Sequence, residues 1–194
     1  MRDLRELILQ KSVEIIAENG VRGLSFREVA RRAQVSHQAP YHYFKNDKEI
    51  LIAIAKEGFS ALTQAMQSAA AAHVQNPLKA LTAAGLAYVE FAVKNTGHFR
   101  VMFQRTLLPI DSNIEDLPEA DATHSVLREH AQAMLDAGFA KHLDHAGMTQ
   151  LCWATVHGIA ALQVEGLAGA SQGEGAQVAA ATQVVESLAL LLEK

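Results

Sequence analysis

Cysteine is almost absent from this chain of 194 residues, which has one, Cys152. A single thiol excludes an internal disulfide framework and agrees with a reducing compartment, where a lone cysteine is usually a small buried apolar residue. The sequence also lacks an apolar run of the roughly 18 residues that a transmembrane helix needs, and its start lacks the apolar segment of a signal peptide. We therefore expect a cytoplasmic protein that does not bind membranes.

Prolines are few as well, four in all, and no segment alternates apolar and polar residues as a half-buried strand does. Apolar residues recur instead at spacings of three and four, which is the pattern of helices. The sequence therefore predicts an all-α fold, with loops over residues 107–121 and around 166–177. Helices are expected over about residues 3–18, 25–33, 36–44, 47–73, 76–94, 119–137, 146–168 and 176–193, with a further helix after residue 97.

The chain as a whole has no excess of basic residues, because its net charge is -4. The charges are unevenly divided, because residues 1–50 hold nine Lys and Arg against seven Asp and Glu, whereas the remainder holds eight against fourteen. The basic N-terminal quarter can attract phosphates, and an acidic remainder discourages indiscriminate coating of DNA. Charge thus permits a nucleic-acid partner but does not by itself demonstrate one.

Two helix caps mark the starts of the two helices of a helix-turn-helix motif over residues 24–51. The run Ser25-Phe-Arg-Glu28 has the spacing of a capping box, in which each side chain binds a free backbone N–H of the first turn. After a turn at residues 34–36, Ser36 can cap a short helix that ends near Phe44. Together with the helix over residues 3–18, the two helices that begin at Ser25 and Ser36 give the arrangement in which one helix crosses the DNA backbone and the next enters the major groove.

The short helix after the turn carries side chains suited to base edges. His37, Gln38 and His42 can donate and accept hydrogen bonds there, and the methyl of Ala39 can rest against that of a thymine. Pro40 lacks a donor N–H and disfavours a helical residue before it, so an irregular start of this helix is expected. We predict that this segment reads DNA sequence in the major groove.

A second group of side chains is suited to the DNA phosphates. Ser25 and Arg27 place a hydroxyl and a guanidinium beside free N–H groups at the positive end of a helix, which is an anion site. Tyr41, Tyr43 and Lys48 can bind phosphates further along the motif. The competing interpretation is a packed helical corner without DNA contacts, in which the two tyrosines pack against other residues.

The stretch LSFREVARRAQVSHQAPYHYFKNDKEIL resembles the DNA-binding signature of the TetR family of regulators, and the similarity extends over about residues 7–60. The resemblance implies binding to operator DNA, with the five residues suited to phosphates on the backbone and the other four facing bases. The sequence departs from the family at Gln34, where a glycine is frequent. A side chain at positive φ costs roughly 1 kcal/mol, so a slightly strained turn is expected there.

The same resemblance implies a DNA-binding domain over residues 1–46 and a helical ligand-binding and dimerisation domain over residues 47–194, connected by the helix at about 47–73. Aromatic and methionine residues of the second domain can line a cavity for a small, largely apolar effector. These residues are Phe91, Phe99, Met102, Phe103, Trp153 and His157. In LCWATVHGIAALQVEGL, the spacing is similar to the Trp-His-Gly signature of one C-terminal domain type in the family. Ordinary core positions are the alternative for Trp153 and His157.

Apolar faces on the last two predicted helices suit self-association. Two helices from each subunit would form an interface with two-fold symmetry, which places two recognition helices about 34 to 36 Å apart on a near-palindromic operator. Packing within one chain is the alternative. The residues concerned are Leu151, Val156, Ile159, Leu162, Val178, Val184, Val185, Leu188 and Leu192.

These features together predict a ligand-released repressor, in which the effector favours a conformation with wrongly spaced recognition helices. The alternatives are a small helical enzyme and a helical interaction scaffold. An enzyme is disfavoured because no nucleophile, base and orienting partner occur at recognisable spacing, and a scaffold does not account for the polar face of the motif. His142 and His145 do not supply the four convergent ligands of structural zinc, so neither a metal nor a cofactor is expected.

Overall fold

A computed structural model of the chain describes residues 3–104, 117–167 and 174–192. All regular structure within these ranges is helical, which confirms the predicted all-α fold. The helices are α1 (Leu4–Asn19), α2 (Phe26–Ala33), α3 (Asp47–Ala71), α4 (Pro77–Lys94), α5 (Thr96–Met102), α6 (Pro118–Asp136), α7 (His145–Val164) and α8 (Glu174–Leu192), with 3₁₀ turns at Val21–Gly23 and Pro40–His42. None of these described helices is both long and apolar enough to cross a membrane.

The helix ends follow from residues close to them in sequence. The side chain of Ser25 accepts a hydrogen bond from the backbone N–H of Glu28 at 3.2 Å, as predicted for the start of α2. Asn76 accepts from the N–H of Lys79 at 3.0 Å, and Pro77 fills the first position of α4. From α3 onward the observed helices begin and end within a few residues of the predicted bounds. Most of the predicted loop at 107–121, and the centre of that at 166–177, lie outside the described residues.

Packing divides the chain into two compact units that do not follow one another along the sequence. Unit 1 comprises Met1–Phe59 and Asn95–Ala120, and unit 2 comprises Ser60–Lys94 and Asp121–Lys194. The boundary between the first two segments therefore falls inside α3. The division predicted at residue 46 stays a prediction about functional domains, whereas these units describe where the residues pack.

In unit 1, α1 packs against α2 and against the short helix α5. Gly97 permits the close approach of α5, because a Cβ at this position would overlap the carbonyl oxygen of Val13. Arg100 then donates to the carbonyl oxygens of Ile16 and Ala17, at 3.3 and 2.7 Å. The Ile16 carbonyl also accepts from the backbone N–H of Gly20, at 2.9 Å, so the contribution of α5 to the last turn of α1 is mainly the bond from Arg100 to the Ala17 carbonyl.

In unit 2, α4 packs against α7 and α8, which also contact each other. A buried cluster joins these helices to α6, and it includes Leu81, Met134 and Met148. Cys152 belongs to the same cluster, as its prediction as a buried apolar residue requires, and burial raises the pKa of its thiol to about 11. Part of the apolar surface of these helices is therefore buried within the chain.

Candidate nucleic-acid interface and effector site

Residues 36–44, called the reading segment below, do not form the predicted α-helix. Their backbone makes successive bonds between residues three apart: the N–H groups of Ala39, Tyr41 and His42 donate to the carbonyls of Ser36, Gln38 and Ala39 at 3.0 to 3.2 Å. Pro40 has no N–H to donate and cannot propagate an α-helical ladder. The irregularity expected at the start of this helix therefore extends over the segment, whose regular part is the 3₁₀ turn Pro40–His42.

The turn before the reading segment has the geometry of a Schellman motif. Gln34 adopts the left-handed conformation, with φ of 55° and ψ of 42°, as the resemblance to the TetR family implied for this position. Its N–H donates to the carbonyl of Arg31 at 3.3 Å, and the N–H of Val35 donates to the carbonyl of Ala30 at 3.0 Å. The carbonyls at the end of α2 are thereby satisfied, and the chain turns into the reading segment.

One side of the reading segment is fixed against the helices of unit 1. The ring of Tyr41 contacts that of Phe26 edge to face, with centroids 4.5 Å apart, and Phe44 is buried with the guanidinium of Arg5 5.3 Å from its ring centre. Pro40 is buried as well. A segment without an α-helical ladder is thus held in place by side-chain packing.

The other side of the segment is exposed. Of the nine residues predicted to contact DNA, all but Ala39 are exposed, a set that comprises Ser25, Arg27, His37, Gln38, Tyr41, His42, Tyr43 and Lys48. Tyr41 and Tyr43 keep 56% and 41% of their surface exposed, although Tyr41 also packs on Phe26. Ala39 keeps 7%, so its methyl faces the protein and is poorly placed for the predicted contact with thymine.

The predicted capping box at the start of α2 is formed in one direction, from the N–H of Glu28 to the side chain of Ser25. The carboxylate of Glu28 instead accepts two hydrogen bonds from Arg31, at 2.7 and 2.8 Å, and one from Arg32 at 2.9 Å. Arg32 also donates to Glu18 of α1 at 2.7 Å. Sequence reasoning missed these two arginines, although their spacing of three and four from Glu28 is typical of ion pairs on a helix.

These ion pairs affect the electrostatics of the predicted phosphate site at Ser25. The hydrogen bonds from Arg31 and Arg32 lower the pKa of the Glu28 carboxyl to about 2, so it is ionised at neutral pH. A bare carboxylate in the first turn of α2 would repel a phosphate. Two guanidinium groups bound to it offset that charge and leave the helix end suitable for an anion.

The start of α3 places Lys48 beside the reading segment. Asn46 accepts from the N–H of Glu49 at 3.2 Å, while the carboxylate of Glu49 accepts from the N–H of Lys45 at 2.8 Å. The two bonds resemble a capping box and fix the first turn of the helix. A cleft of about 450 Å³ adjoins this turn; it is lined by Arg5, Tyr43, Phe44, Glu49, Ile52, Ala53, Lys56 and Glu57.

The residues predicted to line an effector cavity are distributed over both units. Phe99 and Phe103 belong to unit 1, where their rings lie 5.2 Å apart, and Met102 is fully buried beside Gly58. Phe91, Trp153 and His157 belong to unit 2. Their role as cavity lining stays a prediction for both groups.

In unit 2 the structure brings together four rings, which we call the aromatic cluster: Tyr88, His124, Trp153 and His157. The hydroxyl of Tyr88 lies 2.9 Å from Nδ1 of His157, and the ring of Trp153 lies 6.0 Å from that of His157 and 5.4 Å from that of His124. The predicted pairing of Trp153 and His157 on one face of a helix is therefore observed. Tyr88 and His124 come from α4 and α6, and sequence reasoning missed both.

Comparison with known proteins gives two family matches. The model described as bacterial regulatory proteins, tetR family, matches residues 8–55, and the model described as tetracyclin repressor-like, C-terminal domain, matches residues 81–188. The fatty acid metabolism regulator protein of Bacillus subtilis (strain 168) is 37% identical over 60 residues, which is 31% of each chain. The chain thus matches about a third of that relative's length.

Solved structures share the fold over nearly the whole chain. A protein with unknown function from Rhodococcus sp. RHA1 has a TM-score of 0.80 at 25% identity. The superposition covers 100% of this chain and 97% of the Rhodococcus chain. The regulator FadR from Bacillus subtilis in complex with stearoyl-CoA has a TM-score of 0.72 at 19% identity and covers 95% and 97%. The C-terminal family model alone matches more than half of this chain, which therefore belongs to the TetR family of bacterial regulatory proteins.

Proposed function

We propose that the chain is a cytoplasmic, ligand-released repressor that binds a near-palindromic operator as a homodimer. As a member of the TetR family, it is a transcriptional regulator rather than an enzyme. The observation that carries the proposal is the reading segment, which is anchored on one side and exposes polar residues on the other. The aromatic cluster supports a C-terminal domain of the Trp-His-Gly type.

The exposed residues divide into two groups by chemistry. His37, Gln38 and His42 bear groups that hydrogen-bond to base edges, so they supply sequence preference. Ser25, Arg27, Tyr41, Tyr43 and Lys48 bind phosphates and supply affinity that depends on salt. We leave Ala39 out of the base-reading group because it is buried.

Two variants test this division on operator fragments selected from the source genome. Gln38→Ala should flatten the preference for operator over unrelated DNA, because it removes a base contact. Lys48→Ala should weaken binding to both DNAs alike and lower the slope of log affinity against log salt by about 1. Equal behaviour of the two variants would contradict the division, and full operator binding by both would contradict the interface itself.

We propose that dimers form through α7 and α8. Three of the apolar residues predicted for this surface, Val156, Val185 and Leu192, are buried within the chain. Three more of the predicted residues, Leu151, Leu162 and Val184, are exposed large apolar side chains on the two helices, and the structure adds Leu190 and Leu191, which were not predicted. An apolar surface of this kind on a regulator that needs two recognition segments fits a second copy of the chain.

Sedimentation velocity tests the dimer. Leu162→Glu and Leu191→Glu should each shift the chain toward monomer, because a charge would be buried in the interface. Leu167→Glu is the matched control, since Leu167 is 75% exposed and lies after the end of α7. Dimers that persist in both helix variants would refute this interface.

We propose a small, largely apolar effector, with Trp153 as one apolar wall of its site. FadR, which shares the fold, was solved with stearoyl-CoA, so fatty acids and acyl-CoA esters are suitable first probes. Addition of the effector should release operator DNA in a fluorescence anisotropy assay. Trp153→Ala should weaken that release while operator affinity without ligand stays unchanged; loss of the fold in circular dichroism would assign Trp153 to the core instead.

A further inference from the structure

The ring of Phe44 anchors the C-terminal end of the reading segment. The backbone N–H of Phe44 donates to the carbonyl of Pro40 at 3.0 Å, and that of Tyr43 donates to the same carbonyl at 3.1 Å. Phe44 keeps only 4% of its surface exposed, whereas Tyr43 beside it keeps 41%. The position of the buried ring therefore determines where the exposed groups just before it, including the imidazole of His42, stand relative to DNA.

The packing around this ring is incomplete on one side, because the cleft of about 450 Å³ lies beside it. Phe44 and Tyr43 line this cleft together with residues of the first turns of α3, among them Ile52 and Ala53. A side chain that borders a void has fewer contacting atoms on that side and is held less firmly there. The end of the reading segment therefore depends on whatever else contacts the ring.

Arg5, in the first turn of α1, supplies such a contact. The central carbon of its guanidinium lies over the ring of Phe44, 5.3 Å from the ring centre. The start of α1 is itself fixed, because the side chain of Asp3 accepts from the N–H of Arg5 at 3.1 Å. Glu49 and Glu57 line the same cleft, yet the guanidinium forms no ion pair with a residue that the structure describes. The aromatic ring is thus the contact of this cation.

We infer that Arg5 is a positioning residue for the reading of DNA sequence, and that it acts through Phe44 without binding DNA itself. The inference rests on the proposed function of the reading segment. Hydrogen bonds to base edges require narrow ranges of distance and angle, so a displaced segment loses them. Contacts of long side chains with phosphates adjust to a displacement, so binding to unrelated DNA is retained.

Arg5→Met tests the inference, because methionine keeps an unbranched apolar side chain and removes the charge. On the selected operator fragments, the ratio of affinities for operator and unrelated DNA should fall about twofold to fivefold, the range of an exposed cation–π contact. The slope of log affinity against log salt should stay at the wild-type value, since no phosphate contact is lost. Lys141→Ala removes an exposed charge from unit 2 and is the control, with an unchanged ratio.

Phe44→Leu shows whether Arg5 acts through the ring. In the Phe44→Leu background, Arg5→Met should change the ratio no further, as a double-mutant cycle measures. Arg5→Lys, which keeps a cation that can lie over the ring, should retain more of the ratio than Arg5→Met.

Three results would overturn the inference. The first is an unchanged ratio in Arg5→Met, and the second is an additive effect of Arg5→Met and Phe44→Leu. The third is equal weakening of both DNAs with a lower salt slope, which would make Arg5 a phosphate ligand. Failure of the proposed function looks different, because the wild type itself would then show no preference for any selected fragment.

Discussion

Replacing Gln34 with glycine should stabilise the chain, because Gln34 ends α2 in the left-handed conformation. This conformation costs a residue with a Cβ about 1 to 2 kcal/mol, a cost that glycine avoids. Glycine loses more backbone entropy on folding, which reduces the gain in stability by about 0.5 to 1 kcal/mol. The Gln34 side chain is exposed, so little buried surface is lost. We expect the free energy of unfolding to rise by about 0.5 to 1 kcal/mol.

Urea unfolding followed by circular dichroism measures this gain, with all variants at one protein concentration. For a chain of this length the corresponding rise in Tm is about 1 to 4 °C. Gln34→Ala is the matched control, because alanine keeps a Cβ in the left-handed region. Ala140→Gly is a second comparison: Ala140 has φ of 44°, but its methyl is buried, so the loss of packing offsets the relief of strain.

The result that would refute this reasoning is a Gln34→Gly variant no more stable than the wild type. An equal gain in Gln34→Ala would also refute it, because the benefit would then come from removal of the side chain and not from backbone conformation. The hydrogen bonds of the Schellman motif come from backbone N–H groups and persist in both variants. Operator affinity should therefore stay close to that of the wild type.

Three further predictions concern single residues. Gly97→Ala should lower the free energy of unfolding by about 1 to 3 kcal/mol in urea titrations, because its Cβ meets the carbonyl of Val13; Gly158→Ala in α7, where a Cβ meets no atom within 4 Å, should not. The lowered pKa of Glu28 contributes stability above about pH 4.5, and this contribution is lost as pH falls toward 2. Glu28→Gln should remove it, so the free energy of unfolding of the variant should fall less steeply between these pH values than that of the wild type. Cys152, whose pKa is raised to about 11, should react with a thiol reagent at pH 8 far more slowly in the native chain than in urea.

Features that depend on neighbouring residues could be predicted from the sequence. The caps at Ser25 and Asn76 lie one turn from the groups they bind, and the left-handed conformation of Gln34 is what the resemblance implied, since the family often has a glycine at this position. Each is a local property of a few residues. The long helices were predicted for the same reason, because their apolar spacing persists over many residues.

Features that depend on distant residues could not be predicted from the sequence. Tyr88 binds His157 across 69 positions, and nothing in the apolar sequence of α4 identifies that partner. The carboxylate of Glu28 had a local partner in the predicted capping box, yet the arginines one turn later outcompete it because charged donors bind a carboxylate more strongly. Pro40 predicted a disturbance, but not the contact between Tyr41 and Phe26 that holds the segment against α2.

The interleaving of unit 1 along the chain bears on how DNA specificity can be exchanged between regulators. A chimaera that transplants residues 1–46 alone leaves behind α5, the helix that lies against Val13 and whose Arg100 donates to the Ala17 carbonyl in the last turn of α1. The recipient must then supply a helix with a glycine and an arginine at matching positions, or the Ala17 carbonyl of the transplanted α1 loses this donor. Exchange of specificity is simpler by substitution within the reading segment, which leaves every contact of α1 with α5 in place.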